Sequence, residues 1–241
     1  RLRRPPMRGW QVAKVAPGDA VASAALCRQD DLLMLAGSHG MLLTFSATAA
    51  PLLSGTARGN CSMKLPDGAS VVSLAVLSEN VASSMHSRLS AVSDDSEDVG
   101  GSDEAGGHAD GDGSTALLLV WASGAAKRIS TSELRLNKSC RGSGVLSSRF
   151  SLEDDALVCA QLCGGPDDHV YVDMGGQDAL ELRAKHIPMK KRGHTRATVE
   201  TIQLEAAGTN RRGRRAPQKI TPGQSVRKAL LIPSSDEPLT G

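Results

Sequence analysis

The chain has 241 residues, a net charge of +2 at pH 7, 25 glycines and only two Trp, two Phe and one Tyr. This composition predicts a core of Ala, Val, Leu and Ile in many short strands joined by tight turns. It excludes a membrane-spanning helix, because no apolar run approaches the roughly 20 residues that a span requires. The chain begins at Arg1 without Met and with no visible signal peptide, so we expect a fragment or a processed product.

The first predicted repeat covers residues 7–50 and opens on the pair Arg8-Gly9. A turn at Pro17-Gly18-Asp19 separates its first two strands, and Gly37–Gly40 closes a hairpin between its last two. The predicted strands span residues 11–15, 20–26, 31–36 and 41–45. They are more continuously apolar than alternating, which favours sheets that are covered on both faces.

The second predicted repeat covers residues 55–135 and carries an insertion between its halves. Residues 58–77 repeat the Arg-Gly pair, strand, turn and second strand, and residues 116–130 repeat the hairpin. Residues 80–115 are rich in Ser, Gly and Asp and contain no aromatic residue. Such a segment cannot bury enough apolar surface to order itself, so we predict a disordered acidic insertion. Its carboxylates either imitate a nucleic-acid backbone or form a plain solvated loop, and the composition favours the loop.

A third repeat is predicted over residues 138–188 and a partial fourth over 190–232. Arg141-Gly142 opens the third repeat, and Arg192-Gly193 opens the fourth. The predicted strands of the third repeat span 145–150, 156–162, 169–173 and 179–183. In the fourth repeat a strand over 198–204 runs into a basic loop over 205–218, after which residues 219–226 repeat the turn of the second repeat.

These repeats predict an all-β array of about three and a half four-stranded antiparallel blades, with the disordered acidic insertion in the second. The period is close to 50 residues once the insertion is discounted, which is typical of propeller blades. Leucine-rich repeats are shorter, and helical repeats require an apolar period of about 3.6 residues, which is absent. An ordinary propeller closes with about four to eight blades. We therefore expect either further blades in sequence outside this chain or an open array.

Three segments resemble the repeat found in the C-terminal domain of DNA gyrase A. The corresponding protein of topoisomerase IV has a degenerate version of the same repeat. Residues 55–74, GTARGNCSMKLPDGASVVSL, resemble its characteristic line. Residues 30–45, DDLLMLAGSHGMLLTF, resemble the hairpin before that line, and residues 126–130, AKRIS, resemble its Lys-Arg-Thr strand. The Gln-Arg-Arg-Gly-Gly-Lys-Gly box of the family has only partial counterparts, at 139–144 and 190–195.

The resemblance implies a β-pinwheel, which is a propeller with strands exchanged between blades. It also implies a segment that binds and wraps duplex DNA so that a type IIA topoisomerase can supercoil it. The implied partners are duplex DNA, the rest of the gyrase A protein and the gyrase B protein. No cofactor is expected in this segment, because ATP and Mg²⁺ act through other domains. The insertion and the eroded repeats suggest a plastid or mitochondrial copy, with a bacterial cytoplasm as the alternative.

Positive charge is segregated along the chain in a way that favours phosphate binding. Residues 183–228 contain 13 Lys and Arg against two Glu, and clustered cations gain affinity by releasing counterions from a phosphate backbone. Arg at each blade-opening turn predicts one shared rim, and the adjacent Gly lets a phosphate approach the backbone. The candidate DNA-binding residues are Arg8, Lys14, Arg58, Lys64, Lys127, Arg128, Arg141, Lys190, Lys191, Arg192 and Arg196. Each of them alone is equally well explained as a solvated turn residue.

The sequence contains no recognisable catalytic or metal-binding motif. Its single tyrosine, Tyr171, is predicted to lie on a sheet rather than to act as a nucleophile. The pairs Asp154-Asp155 and Asp167-Asp168 are interpreted as turn carboxylates rather than as a metal site. The five cysteines are interpreted as buried free thiols. A propeller that binds protein and has lost contact with DNA is the alternative function.

Overall fold

The computed structural model describes residues 9, 11, 13–54, 57–77, 115–148, 155–173, 180–192, 197–198 and 226–232. Within these ranges the secondary structure is all β, as predicted, apart from three 3-10 turns of three residues each. None of those short helices could span a membrane. Residues 80–114 of the predicted insertion and the predicted basic loop over 205–218 lie outside the described residues.

The described strands form three sheets. The strands are β1 Leu32–Gly37, β2 Met41–Ser46, β3 Val71–Leu77, β4 Ala116–Trp121, β5 Ala125–Ser130, β6 Leu136–Asn137, β7 Val145–Leu146, β8 Leu157–Cys163, β9 His169–Asp173, β10 Leu180–Arg183, β11 Ala197–Thr198 and β12 Lys228–Ile232. The first sheet has the order β3-β1-β2-β6, with β7 also paired to β2. The second has the order β11-β5-β4-β8, and the third has the order β10-β9-β12.

Each sheet draws its strands from successive sequence repeats. The hairpin β1–β2 pairs antiparallel with β3 from the second repeat and with β7 from the third. The hairpin β4–β5 likewise pairs with β8 from the third repeat and with β11 from the fourth. The hairpin β9–β10 pairs with β12. This is strand exchange between blades, the arrangement that the pinwheel prediction requires, and no described blade is assembled from a single repeat.

The prediction of strands over 11–15 and 20–26 is wrong for the residues that the structure describes. Residues 11 and 13–26 are exposed and have no ladder pairing. A strand needs a neighbour to satisfy its backbone N–H and C=O groups. In the other repeats that neighbour is the hairpin of the preceding repeat, and no described hairpin precedes residues 20–26. The turn between these segments is confirmed, because Asp19 N donates to Ala16 O at 3.1 Å and Gly18 has φ +80°.

The three sheets stack face to face with the second in the middle. All six residues of β4 are buried. Leu117 and Leu119 pack into a cluster with Leu32 and Met34 of the first sheet, whereas Leu118 and Val120 pack into a cluster with residues of the third. This explains the continuous apolar run of ALLLVW and confirms the prediction of sheets that are covered on both faces.

The innermost strand of each blade is tied to the next blade by a side chain. Ser73 Oγ on β3 accepts from the backbone N–H of Ala160 on β8 at 3.2 Å. Gln161 Oε1 on β8 accepts from the backbone N–H of Leu231 on β12 at 2.7 Å. These bonds satisfy N–H groups on the strand edges that face the axis of the array, where no further ladder exists among the described strands. The inner strands β3, β8 and β12 together line a cleft of about 460 Å³.

Candidate nucleic-acid interface

The blade-opening Arg-Gly pairs lie beside the first segment of the preceding repeat, and this contact recurs. Lys14 N donates to Ala57 O, next to Arg58, at 3.1 Å. Lys64 N donates to Gly142 O, next to Arg141, at 3.0 Å, and Gly142 N donates to Ser62 O at 3.1 Å. The backbone of Lys14 therefore lies beside the residue before Arg58, and that of Lys64 lies beside the residue after Arg141, at two corresponding junctions between blades.

A third junction brings Arg192 to the first strand of the third repeat. The Arg192 guanidinium donates from Nη1 to Leu146 O at 3.1 Å. Leu146 lies five residues after Arg141, and Lys14 and Lys64 lie six residues after Arg8 and Arg58. Corresponding chain segments thus contact each other three times among the described residues, twice through the backbone and once through the Arg192 side chain. Such a recurring contact is expected of residues on one rim.

The side chains at the first two junctions are open to solvent. Lys14, Arg58, Lys64 and Arg141 are all exposed. The ion pairs among the described residues lie elsewhere and join Asp167 to Arg183 and Lys185, and Glu181 contacts the ring of His169. Lys185 and Arg183 hold the pKa of Asp167 below its ordinary value. The positive charge at the two junctions is therefore available to an external anion.

Lys127 does not belong to this exposed set, and the prediction that it extends the DNA track is wrong. Its side chain has 0% exposure. Its ammonium donates to Arg192 O at 2.7 Å and to Lys191 O at 3.4 Å, and it lies 5.9 Å from the centre of the Trp121 ring. A phosphate cannot reach this group.

The remaining candidates fall into three groups. Arg128 is half-buried, and its Nε donates to Ile187 O at 2.7 Å, so at least part of its guanidinium has a structural role. Lys190 and Lys191 are exposed, and Lys190 N donates to Arg128 O at 2.8 Å. Arg8 and Arg196 lie outside the described residues.

Comparison with known proteins shows what the chain is similar to in sequence and in fold. Residues 31–78 match the family model described as the DNA gyrase C-terminal domain, beta-propeller. The chain is 27% identical over 201 residues to the gyrase A protein of Synechocystis sp., a match that covers 83% of this chain and 23% of that protein. The chain thus spans about a quarter of the length of that relative.

Solved structures show the same fold at low sequence identity. The DNA gyrase A C-terminal domain superposes with a TM-score of 0.63 at 17% identity, covering 93% of this chain and 58% of that one. The C-terminal domain of DNA topoisomerase IV gives a TM-score of 0.56 at 13% identity, covering 84% and 47%. The E. coli ParC C-terminal domain gives 0.53 at 15% identity, covering 92% and 69%.

The chain resembles the C-terminal β-pinwheel domain of DNA gyrase A. The resemblance predicted from its repeats is confirmed. The matched segment 31–78 of this gyrase-like pinwheel contains the hairpin β1–β2 together with Arg58 and Lys64, two of the four exposed junction residues.

Glu133 is a residue of this gyrase-like pinwheel that the sequence reasoning missed. Its Oε2 accepts from the backbone N–H of Arg192 at 2.5 Å. Nothing in the local sequence TSEL indicates this contact, since it depends on where a turn 59 residues away docks. The burial of Lys127 did have a signal, because alternation along β5 puts it on the same face as Ile129.

The other chemical candidates have structural roles. Asp155 accepts from the N–H and hydroxyl of Ser123, and Asp168 accepts from the N–H groups of Gly164 and Gly165. Tyr171 lies on β9 and stacks on His169 with ring centres 6.3 Å apart. No three His, Cys, Asp or Glu side chains of the described residues come together as metal ligands.

The cysteines are free thiols, as predicted, but they are not all buried. Cys140, Cys159 and Cys163 are buried, and burial raises the pKa values of Cys159 and Cys163 to about 12. Cys27 and Cys61 are exposed. Both lie in the segments that precede the first hairpin of their repeats, where the described chain supplies little covering structure.

Proposed function

We propose that this chain is the DNA-binding segment of a gyrase-like type IIA topoisomerase, within its A protein. It binds duplex DNA along the rim formed by its blade junctions, without reading sequence. The observation that carries the proposal is the repeated junction, at which the backbone of Lys14 bonds to the residue next to Arg58 and the backbone of Lys64 bonds to the residue next to Arg141. The supporting comparison is the match of residues 31–78 to the gyrase C-terminal domain family.

The chemistry of the junctions suits phosphate rather than base edges. Arg offers a planar fork of donors to phosphate oxygens, and Lys offers a compact charge beside it. The neighbouring Gly59 and Gly142 add no side chain between a phosphate and the backbone. The only helices among the described residues are 3-10 turns of three residues, which are too short to act as recognition helices in a groove. Such contacts give affinity that falls steeply with salt and depends little on sequence.

The larger reaction lies outside this chain in the proposal. Wrapping of DNA on this rim would let the rest of gyrase A, together with gyrase B, introduce supercoils, with ATP and Mg²⁺ used by other domains. In the proposal this segment contributes DNA binding, and the catalytic groups and cofactor sites belong to those other domains. A plastid or mitochondrial location stays a prediction.

The direct experiment measures binding of the 241-residue chain to duplex DNA across a range of salt concentrations. The test variant replaces Arg58, Lys64 and Arg141 with Ala. Each lost phosphate contact lowers the slope of log K against log salt by about 0.9, so the slope should fall by roughly 2.7. The matched control replaces Arg183, Lys185 and Lys228 with Ala, which removes the same charge from exposed positions on the third sheet and the turn that follows β10.

Only the junction variant should lose slope and affinity. Equal losses in both variants would mean that total charge, rather than the junctions, governs binding. Binding that is undetectable or independent of salt would overturn the proposal and favour a propeller that binds protein instead.

A further inference from the structure

Charged side chains hold the backbone of Arg192 on both sides of its Cα. Lys127 Nζ donates to the carbonyl of Arg192 at 2.7 Å. Glu133 Oε2 accepts from the N–H of the same residue at 2.5 Å. The two peptide units that set the direction of the Arg192 side chain are therefore both fixed by ionisable groups from the hairpin β4–β5 and the turn that follows it.

Placing Lys127 there has an energetic cost that an ordinary surface turn does not incur. An ammonium with 0% exposure loses its hydration and must recover that energy from the protein. The carbonyls of Lys191 and Arg192 and the face of Trp121 supply part of that energy. Both of these carbonyls belong to consecutive residues of one turn, so the buried ammonium donates into the turn that contains Arg192.

The first sheet shows that the fold can be built without these charges. β2 and β5 both end at a Ser whose hydroxyl accepts from the N–H two residues later and caps a 3-10 turn. Counting from Ser46 and Ser130, Leu43 occupies the place of Lys127 and Ala49 the place of Glu133. Leu43 packs under the Arg141-Gly142 pair, its Cδ1 lying 3.5 Å from where a Cβ on Gly142 would be. An apolar residue thus supports the equivalent turn at the second junction.

We infer that Lys127 and Glu133 are positioning residues that preorganise Arg192 for a DNA phosphate, an inference that rests on the proposed function. The clamp fixes the backbone while the guanidinium, which donates from Nη1 to Leu146 O, has further N–H groups to offer an anion. Ordering a long side chain before binding removes part of the entropy cost of the contact. Lys127 and Glu133 carry opposite charges, so the pair adds no net charge to the junction.

The test replaces Lys127 with Leu and Glu133 with Ala together, which reproduces the residues of the first sheet and leaves the net charge unchanged. The double variant should bind duplex DNA about two- to tenfold more weakly, which corresponds to the entropy of ordering one long side chain. In an Arg192→Ala background the same double change should have no further effect. Amide hydrogen exchange at Arg192, without DNA, should be faster in the double variant than in the wild type.

Several results would overturn the inference. An equal affinity loss in the Arg192→Ala background would show that the clamp acts on something other than Arg192. Unchanged DNA affinity, or unchanged exchange at the Arg192 amide, would show that there is no positioning role. If the wild-type chain shows no salt-dependent DNA binding, the proposed function fails and this inference fails with it. Faster exchange of the Arg192 amide in the double variant would then still show that Lys127 and Glu133 hold the turn.

Discussion

At the scale of single residues, His39 shows how a hairpin turn couples this fold to pH. It lies in the Gly37–Gly40 loop and is only 8% exposed. A Cβ on Gly37 would lie 2.4 Å from its ring, so the ring packs directly on the glycine backbone. Its Nδ1 has no hydrogen-bond partner among the described residues, and burial lowers the pKa of the imidazole below its ordinary value of 6.5.

We predict that His39 contributes stability that is lost in acid. Because its pKa is lower in the folded protein, the unfolded chain binds more protons below pH 6.5. The contribution is therefore complete above pH 6.5 and declines as pH falls towards the folded pKa. Urea unfolding of His39→Gln should show a smaller loss of free energy between about pH 7.5 and pH 5 than the wild type shows.

His186 provides the comparison for that measurement. The pKa of His186 is also lowered, first by burial and then by the charges of Lys185 and Arg183. His186→Gln alone should therefore also reduce the free energy of unfolding that is lost in acid. The two changes should add, since His39 lies in the loop of the first sheet's hairpin and His186 lies in the turn that follows β10 of the third sheet. An unchanged pH profile in His39→Gln would show that His39 is equally easy to protonate in the folded and unfolded states.

The residue scale also shows what the sequence could reveal about the site. Arg58, Lys64 and Arg141 could be found because each belongs to or follows a recurring Arg-Gly pair. Lys127 could have been assigned to the interior, because residues two apart on a strand share a face and Ile129 is apolar. The resemblance of AKRIS to a basic strand of the family led instead to a surface assignment. Glu133 could not be found, because its contact with Arg192 exists only after two repeats have packed together.

At the scale of elements, the sequence predicts what is local and fails where a strand depends on a distant partner. The hairpin loops that end at Gly40 and Gly124 follow from their own residues, and both glycines have positive φ. Gly144 differs from them because its φ of +78° is combined with a tight contact to another element. A Cβ at this position would lie 2.4 Å from the carbonyl oxygen of Leu42 on β2.

We predict that Gly144→Ala destabilises the protein considerably more than Gly68→Ala. Both glycines have φ +78°, but a Cβ on Gly68 would meet nothing within 4 Å. The left-handed backbone alone costs about 1–2 kcal/mol for a non-glycine residue. Gly144→Ala must in addition push β7 away from β2, so its loss of unfolding free energy should exceed that of Gly68→Ala by at least about 1 kcal/mol. Equal losses would mean that the junction moves freely to accommodate the methyl group.

At the scale of the whole molecule, the order of repeats in the sequence is not the order of strands in the sheets. The repeats are visible because each encodes the same hairpin and turn. The exchange of strands between blades is implied by the resemblance and not by any local pattern. The sequence of a strand is the same whether that strand pairs within its own repeat or with another repeat. β8 illustrates the result, because it pairs with β4 of the preceding repeat and lies between β3 and β12. Such sharing predicts that the three sheets unfold together.

Cys159 and Cys163 on β8 make that prediction measurable. The thiolate is the reactive form, and burial raises both pKa values to about 12, so a thiol reagent should modify them only when the chain unfolds. Leu42→Ala in the first sheet and Leu231→Ala in the third each remove a buried side chain, at a cost of about 2–5 kcal/mol. If the sheets unfold as one unit, each change should speed modification of both thiols by about tenfold for every 1.4 kcal/mol that it removes.

The exposed thiols of Cys27 and Cys61 provide the internal control, because they should react at wild-type rates in both variants. Exposed thiols react in the folded protein, so their modification rate depends only on the reagent and the pH and not on the stability of the fold. Faster modification of Cys159 and Cys163 in Leu231→Ala but not in Leu42→Ala would mean that the first sheet unfolds separately. Strand exchange would then fail to couple the blades, and the shared position of β8 between β3 and β12 would not by itself make the array cooperative.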